Sequence, residues 1–233
     1  IPLLGIIIIL FIPLSIELKI GLLLIIVLPS ATMSNYVTKL VSGNVALSIS
    51  LTAVSSLIGF VSIPFILNLS FKLYSLDKIF DLKLFKISLF IFLITTVPTI
   101  IGLFVSKYLS KIVSKILPTF NIISVLLFLI IIFGAIYTER NDLKDYFQYS
   151  GAVSLILIIS ILIFSLVITK LFIKKNEDRK AIVVECILQN GAMGLVVGGQ
   201  IFNEIVYVLP VATYALIQYF VILFYIGSGN KDW

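Results

Sequence analysis

The sequence predicts an all-α integral membrane protein with about eight transmembrane helices, two of them broken. Three observations predict this. The 233 residues are 61% hydrophobic with a mean hydropathy of +1.22, whereas soluble domains are nearer half apolar. Continuous apolar runs recur at the roughly 18-residue length that crosses about 30 Å of hydrocarbon. A membrane β-barrel would alternate over about ten residues instead. Finally, polar breaks fall inside two of the runs, at Leu28-Pro29-Ser30-Ala31-Thr32-Met33-Ser34-Asn35 and at Glu185-Cys186-Ile187-Leu188-Gln189-Asn190-Gly191. Polar backbone at that depth survives only inside protein or beside a wet cavity.

The elements follow in order. Ile1 to Leu14 reads as a first, shortened helix. The chain opens inside an apolar run at Ile1-Pro2 without an initiating Met, so it is expected to start partway along a helix. Ser15 to Lys19 reads as a tight turn. Residues 20–42 form the first broken helix, and Gly43-Asn44 the next corner. A helix from Asn44 to Leu69 carries Asn44, Ser48, Thr52 and Ser55 on one face, at spacings of four, four and three. The plainer reading of that stripe is hydroxyls bonded back to their own helix.

Phe71 to Leu84 alternates charged with apolar residues and reads as an interfacial connector. Apolar helices follow from Ile87 to about Leu109, with a kink expected at Pro98, and from Ile116 to Tyr137, with Pro118 at its start. Glu139 to Gln148 reads as a charged loop and Ser150 to Phe172 as a helix. Lys174 to Lys180 reads as a basic loop, residues 181–202 as the second broken helix, and Ile205 to Ile226 as the last helix.

Charge then sets orientation. Ten of the 17 cations, including those of residues 174–180, fall on one side of this eight-segment topology and seven on the other. The positive-inside rule places the C-terminus in the cytoplasm of a multi-pass protein of the cell membrane. The net charge of +6 thus reports topology, and no nucleic-acid partner is expected; no obligate protein partner is evident either. The lone Cys excludes an internal disulfide.

Glu185 is the most informative residue. A carboxylate near mid-membrane costs roughly 2.5–3.5 kcal/mol on the most lenient scale, so it should face a cavity or a cation. The alternative is that it lies one turn inside the membrane surface and reaches the headgroups. Gln189 lies one turn further on the same face, and Asn190 follows. Such oxygen donors suit hard cations, and a single negative charge suits Na⁺ better than a divalent ion. Thr32, Ser34, Asn35, Ser48 and Thr52 offer matching groups at the first break. Half-helix ends there leave carbonyls for a cation and N–H groups for an anion. Paired broken helices are a sequence pointer to a transporter's binding site.

Ser34-Asn35, followed by Gly43-Asn44-Val45-Ala46-Leu47-Ser48 and Thr52, resembles the bile acid/sodium symporter family. Glu185, Gln189 and Asn190 match that family's second broken helix. The resemblance implies an inverted-repeat fold of ten helices, the first two lacking here, with two crossing broken helices. It implies a core domain (1–69 and 150–228), panel-type helices and connectors (70–149) and a tail (229–233). It implies one Na⁺ site from Ser34, Asn35, Ser48, Thr52 and Glu185. A second would use Glu185, Gln189 and the carbonyls of Cys186 and Leu188. That site also takes a Gln just before the position of Ile1, so it is expected to be incomplete in this chain. The anion would sit near Thr32, Ser34 and Asn190, with Gln218 on the last helix bearing on substrate identity. The family commonly has Pro-Gly-Gly where this chain has Pro29-Ser30-Ala31, side chains expected to narrow the substrate's approach.

The implied function is sodium-coupled symport of an organic anion, bile-acid-like or a small carboxylate, by alternating access. A proton-coupled or arsenite-type exporter and a non-transporting, degenerate fragment are the alternatives. An enzyme is not expected. Without His there is no Ser–His pair or zinc-protease motif, and one deep acid cannot form an aspartyl dyad.

Overall fold

The computed structural model describes residues 1–73, 84–138, 143–202 and 204–227, and among these it is helical throughout with no strand. Helix α1 (Pro2–Phe11) ends ahead of Pro13. Ile12 takes the extended backbone that a following proline demands. Helix α2 therefore begins at Ile16, and spans Ile16–Val27. The expected turn over Ser15 to Lys19 is corrected to residues 12–15, because Pro13 outweighs the charged Glu17 and Lys19.

Next come α3 (Met33–Leu40) and α4 (Val45–Leu73). Helix α5 (Leu84–Ile91) runs through a π-turn (Phe92–Thr96) into α6 (Val97–Tyr108). The expected kink at Pro98 is this widened turn, in which Val97 N–H bonds back to the Phe92 carbonyl. A π-turn accommodates the missing proline N–H without breaking the helix. Helix α7 (Ser110–Thr138) starts ahead of Pro118, which lies inside it instead of at its start. The carbonyl that Pro118 leaves without its helical partner belongs to Ser114, at the exposed polar end of the helix.

Helix α8 (Leu143–Phe172) includes residues 143–148, which the sequence reading left in a loop. Helix α9 (Asn176–Ile187) begins inside the expected basic loop, where Glu177 and Asp178 in the first turn complement the helix dipole. Helix α10 (Gly191–Ile201), a short 3₁₀ turn (Ile205–Tyr207) and α11 (Leu209–Gly227) complete the order. Most of the expected connector (74–83), the start of the charged loop (139–142) and the tail (229–233) lie outside the described residues.

Among the described residues four helical stretches are long and apolar enough to cross a membrane: Val45–Lys72, Leu89–Tyr108, Ser150–Phe172 and Leu209–Gly227. The breaks account for much of the difference from the eight expected segments. They split two of them into α2 with α3 and α9 with α10, each half too short to cross alone.

Helix α2 is the centre of the packing. It touches α1, α4, α10 and α11, and Ile20, Leu22, Leu24 and Ile25 are fully buried. A helix that is apolar all round belongs inside such a cluster. Hydrocarbon is as apolar as leucine, so close contact decides these interfaces. A Cβ on Gly21 would fall 2.3 Å from the Tyr207 carbonyl oxygen, and one on Gly194 would fall 2.6 Å from Val211. Helices α5 and α6 reach this cluster by way of α4.

One corner joins the two broken helices at their outer ends. Ser42 holds a left-handed backbone (φ 55) after α3. Asn44 then caps α4 by accepting from Leu47 N–H at 3.1 Å. Its amide donates to Asp178 Oδ1 at 2.8 Å, and its backbone N–H donates to the Glu177 carbonyl at 2.9 Å. Asn44→Ala removes the cap and the Asp178 bond together and should lower stability by about 1–2 kcal/mol. Asp178→Ala removes the bond and one of the two first-turn acids of α9 but leaves the α4 cap, and should cost less. Thermal unfolding of the detergent-purified variants measures both. Equal losses would contradict this division of roles.

Candidate functional site: a buried carboxylate where two broken helices meet

The two breaks pair with each other. Ser30 and Gln189 form an isolated antiparallel bridge. Ala31 N–H donates to the Leu188 carbonyl at 2.9 Å, and Asn190 N–H donates to the Pro29 carbonyl at 3.0 Å. The opposite edge of the second break is held by a side chain. Gln189 N–H donates to Gln218 Oε1 at 2.8 Å, and Gln218 Nε2 donates to the Gln189 carbonyl at 3.1 Å. The Tyr214 hydroxyl donates to the Ile187 carbonyl at 3.3 Å. The polar backbone of the second break is thus satisfied from both edges, as hydrocarbon requires.

This pairing brings Glu185, in the last turn of α9, against α3, α4 and the first break. The residue is only 6% exposed. Ser30, Ser34 and Ser48 each donate a hydroxyl to its carboxylate. The Thr52 hydroxyl lies 3.1 and 3.0 Å from its two oxygens. Ser48 Oγ is also 2.9 Å from Asn35 Oδ1, and Thr38 donates to Ser48 at 3.2 Å. Of the face predicted on α4, Ser48 and Thr52 reach the carboxylate. Ser55 bonds back to the Thr52 carbonyl at 3.0 Å, and Asn44 serves the corner.

The donor set fits a small hard cation. A hydroxyl has one proton and two lone pairs. The single Ser48 proton faces both Asn35 and Glu185, and the single Thr52 proton faces Glu185 and the Ser48 carbonyl at 3.1 Å. The cluster therefore holds more acceptor contacts than protons, around one carboxylate. Oxygen-only ligation of that kind is what alkali and alkaline-earth ions take. In the break just past α9, Gln189 donates to the Cys186 carbonyl at 3.0 Å. Its Oε1 is buried without a hydrogen-bond partner among the described residues. The Cys186 and Leu188 carbonyls each already accept one bond, from the Gln189 amide and from Ala31 N–H.

The residues expected near an anion are less uniform. Asn190 Oδ1 accepts from Met193 N–H at 3.0 Å and caps α10. Thr32 is exposed just ahead of α3. Ser34 is fully buried against Glu185. Gln218 is 1% exposed and commits both polar groups to the Gln189 backbone. Ser30 and Thr38 belong to the cluster although sequence reasoning passed over them. Ser30 was legible as a hydroxyl in the break itself, four residues before Ser34.

The sequence profile of the sodium bile acid symporter family matches residues 1–146. The chain belongs to this family. Its relatives include an uncharacterized sodium-dependent transporter, YocS, of Bacillus subtilis (strain 168). That protein is 30% identical over 193 residues, which cover 76% of this chain and 54% of the relative. A probable chloroplastic sodium/metabolite cotransporter, BASS2, of Oryza sativa subsp. japonica is 26% identical over 214 residues, covering 91% of this chain and 49% of the relative. The chain spans about half the length of the curated relatives it matches. Both relatives are named as sodium-dependent transporters or cotransporters, and the four long apolar helices among the described residues fit a membrane setting for this chain.

Gln218→Leu roughly keeps the volume of the side chain but removes both side-chain bonds, leaving the Gln189 N–H and carbonyl only their local bonds to the Ile187 carbonyl and the Gly191 N–H. Each lost hydrogen bond is worth about 0.5–1.5 kcal/mol net, so the variant should lose about 1–3 kcal/mol. Gln218→Asn keeps the amide on a shorter arm and should fall between wild type and the Leu variant. The order of their melting temperatures checks this. A Leu variant as stable as wild type would contradict the bracing role.

Proposed function

We propose that this protein is a secondary active transporter that couples Na⁺ entry to symport of an organic anion by alternating access in the cell membrane. One observation carries the reading: a single buried carboxylate, Glu185, collects hydroxyls from the first break, from α3 and from α4. In this reading the first Na⁺ site is Ser34, Asn35, Ser48, Thr52 and Glu185. A second site would use Glu185, Gln189 and the carbonyls of Cys186 and Leu188. The partnerless Gln189 Oε1 supports it.

The anion belongs on the other side of the crossing, at the N-termini of α3 and α10, near Thr32, Ser34 and Asn190. Oriented N–H groups at a helix start favour negative charge. A small carboxylate is the preferred substrate class, with a bile-acid-like anion as the second candidate. Residues 1–69 and 150–228 would form the core that carries the sites, and residues 70–149 the panel against which it moves. The C-terminus would be cytoplasmic.

The coupling follows from electrostatics. A buried carboxylate facing only neutral oxygens is costly to carry through an apolar barrier. A bound cation offsets that cost, so the loaded core is the one able to change access. The coupling is reciprocal: Na⁺ tightens the anion and the anion tightens Na⁺. Two Na⁺ with one monovalent anion would carry net positive charge inward.

Proteoliposomes test the reading. An inward Na⁺ gradient should drive accumulation of labelled small carboxylates, with bile salts as a second panel, and a K⁺ gradient should not. Glu185→Gln removes the charge and should lower Na⁺-driven uptake by more than about a hundredfold, since bonds to a charged group are worth about 1.5–3 kcal/mol each. Uptake indifferent to Na⁺ but driven by a proton gradient would replace this reading with the proton-coupled one.

A further inference from the structure

Ser30 stands where a side chain was expected to narrow the approach of a substrate. Its hydroxyl goes elsewhere. It donates to Glu185 Oε2 and lies 3.4 Å from Thr52 Oγ1. The two carboxylate oxygens are not equally served. Oε1 receives Ser34, Ser48 and Thr52, whereas Oε2 receives Thr52 and Ser30. Without Ser30, Oε2 would keep one hydroxyl, and that one is shared.

The position is fixed by the backbone. Ser30 is the bridging residue of the first break, and the bonds on either side of it run from Ala31 N–H to the Leu188 carbonyl and from Asn190 N–H to the Pro29 carbonyl. Successive side chains of an extended segment point to opposite faces. The bridge therefore aims the Ser30 hydroxyl without using it. Its side chain is 7% exposed, so it is withdrawn from any open approach path.

We propose that Ser30 is a cation-ligating and selectivity-determining residue of the Glu185 site. It supplies a hydroxyl oxygen beyond those of Ser34, Asn35, Ser48, Thr52 and Glu185. The proposal rests on the reading of that cluster as a Na⁺ site. The hydroxyl proton serves Oε2 while the lone pairs remain for the ion. A glycine at this position has no side-chain oxygen, so the added ligand is a property of this chain. Ligand number and cavity size separate hard cations from one another. An extra oxygen favours Na⁺ over the smaller Li⁺, which fills its shell with fewer ligands.

The test is thermal stability of the full chain in detergent, titrated with NaCl, LiCl or KCl against choline chloride at constant ionic strength. Ligand that binds only the folded state raises stability in proportion to ln(1 + [L]/Kd). Ser30→Ala and Ser30→Gly should raise the Na⁺ Kd fitted from that relation about tenfold, the worth of one hydrogen bond near a charge. Both should lower the preference for Na⁺ over Li⁺. Ser30→Thr keeps the hydroxyl and should restore both. The bridge is made by backbone atoms, so all three variants are expected to fold, and Ser30→Thr decides the case if the smaller residues do not. A wild-type Na⁺ Kd in the Ala and Gly variants, or a tighter one, would overturn the role of Ser30. A wild type that answers Na⁺ no more than choline would overturn the Na⁺-site reading itself.

Discussion

The structure depends on one interaction, the backbone pairing of two helix breaks. Each break leaves N–H and C=O groups without helical partners inside an apolar cluster, where an unpaired group is expensive. Ala31 with Leu188 and Asn190 with Pro29 answer that demand mutually. Neither break is affordable alone. Gln218 and Tyr214 close the other edge, which explains why a polar amide sits fully buried on α11. The bond count, rather than flexibility, makes irregular backbone possible at this depth.

The functional chemistry is a consequence of that pairing. Glu185 would be a stranded acid on α9 if the first break did not deliver Ser30 and Ser34 to it, and α4 did not deliver Ser48 and Thr52. Its ligands are spread over three elements distant in sequence. Anything that binds among them stabilises the crossing, and anything that loosens the crossing weakens the site. The Asn44 corner extends the same linkage to the outer ends of α3 and α9. In the proposed reading, a cation seated at Glu185 would favour movement of the two broken helices as one body.

Much of this was legible in the sequence. Hydropathy gave the membrane class, because apolar runs of this length have few other uses. Pro29 and the Glu185 to Gly191 stretch marked the breaks, since both put polar groups where hydrocarbon forbids them. The spacing of Ser48 and Thr52 marked the face that reaches Glu185. What escaped was set by tertiary geometry or by local competition. Pro13 moved the start of α2, and the acidic pair Glu177 and Asp178 began α9 inside a stretch that reads as loop. Ser30 looked like an obstruction because the direction of its hydroxyl is fixed by a bridge to a residue far away in the chain. The bracing role of Gln218, expected to bear on substrate identity, escaped for the same reason: its partners are backbone atoms of the second break, and these leave no pattern in side-chain spacing.

Hydrogen exchange resolved at single amides tests the central claim most directly. The amides of Ala31 and Asn190 lie outside regular helix, and a solvated break would exchange them at loop rates. The account predicts that both are strongly protected in detergent or nanodiscs, and that Na⁺ slows them further where K⁺ does not. Exchange at unprotected rates, unchanged by Na⁺, would contradict the claim that paired breaks hold the ion site.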